Sequence, residues 1–589
     1  MPQQKAIPEQ RIRSKNEEIL IEMEVNKLLN KKAIEKCDAV EGQFISTYFL
    51  VKKPDGSHRF ILNLKNLNKF IAAPHFKMED IRTVKNLLML NDFMASIDLK
   101  DAYLLVPVAE SSRKYLRFIF QGQIYQFTCL PFGLSISPYI FTKLMKPIVN
   151  FLREKGFLLA IYLDDIIFIA KSYNICREKV LWARNFLQKL GFVINDEKSS
   201  LVPAQKCKFL GFIVNSVDCT IELTDAKKEH IKNLVAEFKI GTICKIREFA
   251  TLLGTLNAAC PAVAYGLSHC KKLERQKFLD LIVNDGDYDG KMVIKSYLER
   301  DLIWWKINSQ IGKNPIRTAE YSIEISSDAS LTGWGAFCNG KSAHGWWNAD
   351  QRRYNINFLE LLAAFHALKS FASKLNNCEI LLRIDNTTAI AYINRAGSVQ
   401  YPKLSNLAQE IWDWCEHRKI WIFASYISSK ENFHADAASR ITNIDTEWEL
   451  ANEVFDSVVK KFGPFTIDLF ATYENRKVKK FCSRFPNPES FKVDAFTISW
   501  KNERVYAFPP FALITAVIKK FITDKAEGVI VAPDWPTQPW YPLLNSLLRE
   551  PPIVFKPNKH LLLSPCRTKT HPLASRLSLV VAYLSGKNI

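Results

Sequence analysis

Asp164 and Asp165 lie side by side in the middle of an apolar run from Phe157 to Ala170. Unpaired buried charge is very costly. Two adjacent carboxylates flanked by Leu158-Leu159-Ala160-Ile161-Tyr162 and Ile166-Ile167-Phe168-Ile169-Ala170 therefore make sense where two buried strands meet at a tight turn and present the acids to a cation. An Asp-Asp pair also serves as an ordinary hairpin turn, so alone it leaves both readings open. Asp98 supplies a third carboxylate: it ends the strand-like Ser96-Ile97-Asp98, follows a hydrophobic helix-like stretch, and precedes Tyr103 by five residues. Between the acids, Leu130-Pro131-Phe132-Gly133-Leu134-Ser135 forms a loop that opens into the helical pattern Pro138 to Met145.

A second constellation starts at Ile323-Glu324-Ile325-Ser326-Ser327-Asp328, which alternates like a strand and runs into the glycine-interrupted Gly333-Trp334-Gly335-Ala336-Phe337. Asn357 to Leu368 reads as an amphipathic helix with Glu360 near one edge of its buried face. Leu381 to Asn386 is a further strand ending in Asp385, and Asn432 to Arg440 carries Asp436. Each of these acids alone is a common cap or solvated side chain; the ordered quartet carries the reading.

Upstream, Phe49 to Phe60 contains Asp55-Gly56, which favours a tight turn between strands, and the segment resembles the fingers hairpin of retroelement reverse transcriptases, which implies that Lys52, Lys53 and Arg59 can reach a triphosphate. Leu64-Lys65-Asn66-Leu67-Asn68, Leu190-Gly191-Phe192-Val193-Ile194-Asn195 with Lys198, and Phe209-Leu210-Gly211-Phe212 complete a series over roughly residues 15 to 215. In this order the series resembles the fingers, palm and primer grip of retroelement reverse transcriptases. The resemblance implies Asp98 and Asp164 as metal ligands with Asp165 beside them, and two Mg²⁺ ions about 3.5–4 Å apart, Mn²⁺ being the alternative. It implies Tyr103 as the aromatic gate against a ribose 2′-hydroxyl, Phe132 beneath the incoming nucleotide, and Lys198 as a source of charge or a proton for pyrophosphate. The second constellation resembles ribonuclease H, which implies Asp328, Glu360, Asp385 and Asp436 as ligands of a further two-ion site, with Asn386 touching the minor groove of a hybrid. His434 is expected to be a capping or surface residue. Tandem polymerase and hybrid nuclease describe one pathway, since copying RNA into DNA leaves a hybrid whose RNA must be cleared.

The region from about 446 onward holds Phe462-Gly463-Pro464-Phe465-Thr466-Ile467-Asp468-Leu469-Phe470-Ala471, Asn475, Val493-Asp494-Ala495-Phe496, Trp500, Phe508-Pro509-Pro510-Phe511 and Ala532-Pro533-Asp534-Trp535-Pro536. This series resembles the region after ribonuclease H in DIRS-like, tyrosine-recombinase retrotransposons, likened to adenine-specific DNA methyltransferases. Methyl transfer is not expected. Asp468 to Tyr473 lacks the glycines that accept the methionine end of S-adenosylmethionine, and Phe508 stands where an Asp or Asn would accept hydrogen bonds from the target amine. An α/β module that packs on the enzyme or holds nucleic acid is expected instead, its aromatic residues mostly in its core.

At 589 residues the chain is long enough for several cores. A formal charge of +20 suits a polyanionic partner, although a ribosomal or membrane-surface protein is also this basic. Thirteen cysteines without a CxxC pair imply neither zinc nor a disulfide framework. No apolar run reaches about 18 uncharged residues, so no membrane span is expected, and the lack of a signal peptide points to an intracellular, cytoplasmic or nuclear protein. No aspartic-protease motif, zinc-binding integrase head or integrase domain is found, which fits a DIRS-like element with its tyrosine recombinase encoded separately, a truncated gypsy-like copy being the alternative.

These readings predict a multidomain α+β and α/β chain: an N-terminal helical extension (1–40, helical from Glu17 to Ala33), fingers and palm of a right-hand polymerase (41–220), a helical thumb and connection (221–320), a ribonuclease H-like mixed sheet with helices (321–445), and a degenerate methyltransferase-like α/β domain with a basic tail (446–589). The expected partners are an RNA template, a DNA primer, RNA–DNA hybrid and dNTPs. The alternative is a host-retained or decayed copy that only binds nucleic acid.

Overall fold

A computed structural model of the chain describes residues 2–4, 6–9, 14–52, 56–317, 319–441, 448–564 and 570–588. Lys53 and Asp55 of the expected fingers turn, the expected junction at 445/446 and part of the basic tail lie outside the described residues. The fold is multidomain, with an α+β polymerase-like region, a ribonuclease H-like region and a C-terminal α/β region. By contacts the chain divides into two compact units, residues 1–236, 258–264 and 306–316 in one, and 237–257, 265–305 and 317–589 in the other.

In the first unit, strand β1 (Phe93–Asp98) is followed by helix α1 (Ser137–Glu154), the hairpin β2 (Leu158–Tyr162) and β3 (Asp165–Ala170), helix α2 (Tyr173–Lys189) and strand β4 (Ser200–Ala204). The sheet runs β2-β3-β1-β4, antiparallel throughout. Helical spacing buries Phe141, Met145, Val149 and Leu152 on α1 and Cys176, Val180, Ala183 and Leu187 on α2, against Ala95, Ile97 and Phe168 of the sheet. A fully buried side chain of the Phe, Leu or Val type contributes about 1.5–3 kcal/mol, so this packing sets the register that matters at the strand ends. The expected fingers hairpin is present as strands Tyr48–Lys52 and His58–Leu62. The N-terminal helix spans Lys15–Asn30 behind a Ser14/Glu17 capping box. It stops before Ala33, because Lys32 takes a left-handed φ of 55° and Ala33 N–H returns to the Leu28 carbonyl before strand Ile34–Cys37 begins.

The second unit holds two five-stranded sheets. Strands β5 (Ile323–Ala329), β6 (Gly333–Cys338) and β7 (Lys341–Trp346), helix α3 (Ile356–Phe371), strand β8 (Glu379–Ile384), helices α4 (Thr387–Asn394) and α5 (Pro402–His417), strand β9 (Trp421–Tyr426) and helix α6 (Phe433–Ser439) follow in order. Their sheet is β7-β6-β5-β8-β9, antiparallel at β7-β6-β5 and parallel at β5-β8-β9. Gly335 explains the glycine-interrupted strand: a Cβ there would stand 2.1 Å from the Ala435 carbonyl and 2.3 Å from Ser439 N, so α6 lies directly on β6. Helix α3 differs from its expected amphipathic form. Every residue from Leu359 to Leu368 except Leu362 is buried, Glu360 included, because the helix is covered on most of its circumference rather than on one stripe. Ahead of this sheet, the helical pattern at Ile246, Phe249, Leu252, Leu253 and Leu256 is a buried helix face.

The last sheet comprises β10 (Ile467–Asp468), β11 (Arg504–Ala507), β12 (Glu527–Pro533), β13 (Ile553–Phe555) and β14 (Leu579–Ser585), with helix α7 (Ile514–Thr523) between β11 and β12. Its order is β10-β11-β12-β14-β13, parallel over β10-β11-β12 and antiparallel at β14. Trp500, Tyr506, Phe521, Phe462 and Trp540 are buried, so the aromatic content of this region is mainly core.

Candidate catalytic sites

The strand register sets Asp98 opposite Asp165 and pairs Tyr162 with Asp165, leaving Leu163 and Asp164 as a two-residue turn. Leu163 takes a left-handed φ of 54°, which costs an L-residue roughly 1–2 kcal/mol. The Asp164 carbonyl accepts the Leu99 N–H at 2.9 Å, tying the turn to the end of β1. The three carboxylates feel one another. Burial raises the Asp164 pKa, the Asp98 charge adds to it, and Arg59 and Lys198 oppose it. Asp165 is pushed up to about 6 by burial and then by the charges of Asp164 and Asp98. Two residues that sequence reasoning did not single out hold Asp98: Asn195 Nδ2 donates to its Oδ1 at 2.8 Å, and Ser199 Oγ accepts its backbone N–H at 3.0 Å.

Beside this cluster the Tyr103 ring lies 5.4 Å from Phe132, and the Arg59 guanidinium sits 4.5 Å over Phe132. The Tyr103 hydroxyl is pushed up to about 12 by burial, with the Asp164 charge adding to it. Arg59, Phe132 and Tyr103 thus converge on the carboxylates from distant parts of the sequence. Lys198 contributes through its charge. Lys52 is exposed at the strand end opposite His58.

In the second unit, ligand atoms of Asp328, Glu360 and Asp385 all lie within 4.8 Å of one another. Asp328 pairs with Gly335 near the end of β5, Glu360 points from α3, and Asp385 follows β8. Burial pushes Glu360 up to about 9, the charges of Asp328 and Asp385 adding to it, and its Oε2 is buried with no hydrogen-bond partner. Burial also raises Asp328, whose Oδ2 accepts the Ser439 hydroxyl at 2.6 Å. Asp385 Oδ2 accepts the Ser429 hydroxyl at 2.7 Å. Asp436 stands apart: its Oδ1 is taken by Arg440 at 2.7 and 2.9 Å, and it reaches Asp328 only through its charge. Asn386 caps α4, accepting the Ala389 N–H at 2.9 Å, and donates to Asn357 Oδ1 at 2.9 Å. His434 stacks on Phe337 and Phe433 at 4.2 and 3.8 Å. Ser429, Ser439 and Arg440 gave no sequence signal beyond their place next to the acids.

The donor sets suit hard divalent cations, since they offer carboxylate oxygens only. An orphaned, buried Glu360 oxygen among two further carboxylates is costly without a countercharge. His269, Asp413 and Glu416 also bring ligand atoms within 4.8 Å, but there the charges are already matched. His269 Nδ1 meets Asp301 at 2.8 Å and Nε2 meets Glu416 at 2.9 Å, Asp413 holds Arg300 at 2.8 Å, and the Trp304 ring stacks 3.9 Å over the imidazole.

The C-terminal region does not fit S-adenosylmethionine. Asp468, at the end of its first strand, is buried and pushed up to about 7, and its oxygens are used by the loop's own backbone, Lys477 N–H at 2.9 Å and Phe470 N–H at 3.4 Å. The glycine-free loop and Phe508 before Pro509-Pro510 supply none of the missing contacts.

Residues 51–214 match the reverse transcriptase (RNA-dependent DNA polymerase) family, and residues 438–532 match the DNA N-6-adenine-methyltransferase (Dam) family. The chain thus carries a reverse transcriptase-type segment and a Dam-like segment, on either side of a ribonuclease H-like sheet. Among curated proteins it is similar to the putative enzymatic polyprotein of Cassava vein mosaic virus, 24% identical over 72% of this chain and 65% of the relative. It is also similar to the enzymatic polyprotein of Cauliflower mosaic virus (strain CM-1841), 23% identical over 71% of this chain and 60% of the relative. The chain therefore spans less than two thirds of the length of these relatives. Among solved structures, the foamy viral protease-reverse transcriptase in complex with RNA/DNA hybrid aligns at a TM-score of 0.47 with 18% identity, over 71% of this chain and 55% of that one. Among the described residues no helix is long and apolar enough to cross a membrane.

Proposed function

We propose that the chain is an RNA-directed DNA polymerase with ribonuclease H activity that copies the RNA of a DIRS-like retrotransposon into DNA and degrades the RNA of the resulting hybrid. The observation that carries this reading is the presence of two separate carboxylate clusters, Asp98/Asp164/Asp165 at strand ends and Asp328/Glu360/Asp385 at two strand ends and a helix, each drawn from distant sequence segments. The Dam-like match immediately after the ribonuclease H-like sheet supports the DIRS-like assignment. In this reading the element works inside the cell, with a separately encoded tyrosine recombinase as partner.

Asp98, Asp164 and Asp165 would hold two Mg²⁺ ions in the polymerase site, and Asp328, Glu360, Asp385 and Asp436 two in the nuclease site, Mn²⁺ being the alternative. Such ions would supply Lewis-acid chemistry, a lowered pKa for an attacking hydroxyl or water and countercharge for a leaving oxygen. The protein side chains do the rest. Arg59 and Lys198, with Lys52 and Lys53 from the hairpin, neutralise the triphosphate of an incoming dNTP. Phe132 supports the nucleotide, and the Tyr103 ring stands where a ribose 2′-hydroxyl would have to fit. Asn195 and Ser199 keep Asp98 oriented, as Ser439 and Ser429 do for Asp328 and Asp385. Asp436 completes the nuclease set on leaving Arg440, and Asn386, fixed by its cap and by Asn357, faces the hybrid's minor groove.

Cleavage of a labelled RNA strand in an RNA–DNA hybrid tests the nuclease half. Glu360→Gln should lower the rate by at least 100-fold while leaving primer extension within about twofold. Unchanged cleavage in that variant would remove Glu360 from the site and the ribonuclease assignment with it.

A further inference from the structure

The segment joining β10 to β11 leaves its own sheet and packs on the ribonuclease H-like elements. Tyr473 lies 5.8 Å from His366 of α3, Phe485 lies 5.9 Å from His344 of β7, and Glu489 pairs with Lys369 of α3 at 3.1 Å. At the centre of this contact is Glu474. A Cβ on Gly345 would stand 2.5 Å from Trp334 Nε1 and 2.7 Å from Glu474 Oε1, so the carboxylate and the indole nitrogen share a space that only a glycine leaves open. Glu474 Oε2 is buried there without a hydrogen-bond partner.

Burying a carboxyl costs several kcal/mol unless it is neutralised or paired. A carboxyl placed between two packed elements therefore has a defined seat or weakens the fold. Here the seat is specific. The Trp334 ring lies flat on His366 at 5.2 Å, and His366 is itself buried, with its pKa pushed down to about 3 by burial, so it packs as a neutral ring. Trp334 pairs with Ala329, next to Asp328, and His366 follows Glu360 on α3 by six residues. Glu474 thus rests on β6 and β7; β6 pairs directly with β5, which carries Asp328, and Trp334 of β6 packs on His366 of α3, which carries Glu360.

We propose that the C-terminal module serves as a built-in scaffold of the ribonuclease H-like module, docking through residues 472–489, with Glu474 as the positioning residue that fixes β6, β7 and α3 and through them the carboxylates Asp328 and Glu360. This gives the Dam-like region a task that requires no S-adenosylmethionine. The effect on cleavage rests on the proposed nuclease function; the effect on structure does not.

The test uses the full chain and two readouts, hydrogen exchange of the amides in β6, β7 and α3, and cleavage of an RNA–DNA hybrid, with primer extension as control. Glu474→Ala should speed exchange of those amides by at least tenfold and lower cleavage about tenfold, with extension unchanged. Glu474→Gln, which keeps the shape and fits without a charge, should restore both. Gly345→Ala attacks the same contact from the other side and should reproduce the Glu474→Ala pattern, so the test stands even where one variant folds poorly. Exchange within twofold of the unmodified chain in both Glu474→Ala and Gly345→Ala would overturn the scaffold. Faster exchange with no cleavage by the unmodified chain would leave the scaffold standing and overturn the nuclease function instead. Transfer of a labelled methyl group from S-adenosylmethionine to duplex DNA by the unmodified chain would overturn the assignment of the module as a scaffold in place of an enzyme.

Discussion

Tyr103 and Asp436 show most clearly what single residues add to the sequence reading. Tyr103 stands five residues after Asp98 in the sequence and is singled out there only by resemblance, while its contact with Phe132, and the placing of Arg59 over that ring, arise from three segments that only the fold brings together. Replacing Tyr103 with Val should leave dNTP incorporation within severalfold and raise ribonucleotide incorporation by at least tenfold, read from single-nucleotide extension with dNTP and NTP pairs; equal discrimination would refute the gate. Asp436 was legible as the fourth acid of an ordered quartet, yet its carboxylate is committed to Arg440. No pattern of residue types reveals that pair, because an Asp followed four residues later by an Arg on a helix is also an ordinary surface ion pair. The serines that orient Asp328 and Asp385 were illegible for the same reason, since a hydroxyl gains its partner only from tertiary structure.

Elements were legible where their hydrophobic period was strict. The β2-β3 hairpin, α1 and the buried face around Phe249 and Leu253 are where the spacing predicts them. Helix α3 exceeded its pattern, since a helix buried nearly all round loses the polar stripe that marks an edge. Gly335, visible only as an interruption, proves to be the seat of α6. Gly335→Ala must displace that helix, at a cost of about 1–3 kcal/mol for overpacking, and should depress hybrid cleavage while sparing extension; preserved cleavage with an unshifted α6 in a crystal structure would contradict this. The His269 clamp is a second device at this scale. Burial disfavours its charged form, but the hydrogen bonds it donates to the Asp301 and Glu416 carboxylates outweigh burial and raise its pKa above the ordinary value of about 6.5. A raised folded-state pKa means that the stabilisation is complete below about pH 6.5 and fades as pH rises through the higher folded value. Local hydrogen exchange in helix Glu299–Ile311 should therefore quicken between neutral and alkaline pH, beyond the intrinsic rise in exchange rate. His269→Ala should abolish that pH dependence and cost about 3 kcal/mol or more by leaving Asp301 and Glu416 without their partner.

On the scale of the whole molecule, the order of a polymerase-like, a ribonuclease H-like and a C-terminal α/β region was legible in the sequence, while the division into two compact units cuts across the expected segment from 221 to 320. Composition revealed the excess of positive charge but not where it acts. With a formal charge of +20, hybrid binding should be strongly salt-dependent. If six or more phosphates are contacted, affinity falls by about 10³-fold between 50 and 200 mM salt; a flat salt response in filter binding would mean that the charge serves another partner. The central claim is that Asp164 and Asp165 run a polymerase site separate from the nuclease. It is tested most directly by primer extension on a labelled RNA template with dNTPs and Mg²⁺, comparing the unmodified chain with an Asp164→Asn, Asp165→Asn double variant. The account predicts extension by the unmodified chain, its loss in the variant, and undiminished cleavage of a preformed hybrid by both. Extension that survives in the variant, or its absence from a folded, hybrid-binding unmodified chain, would contradict it.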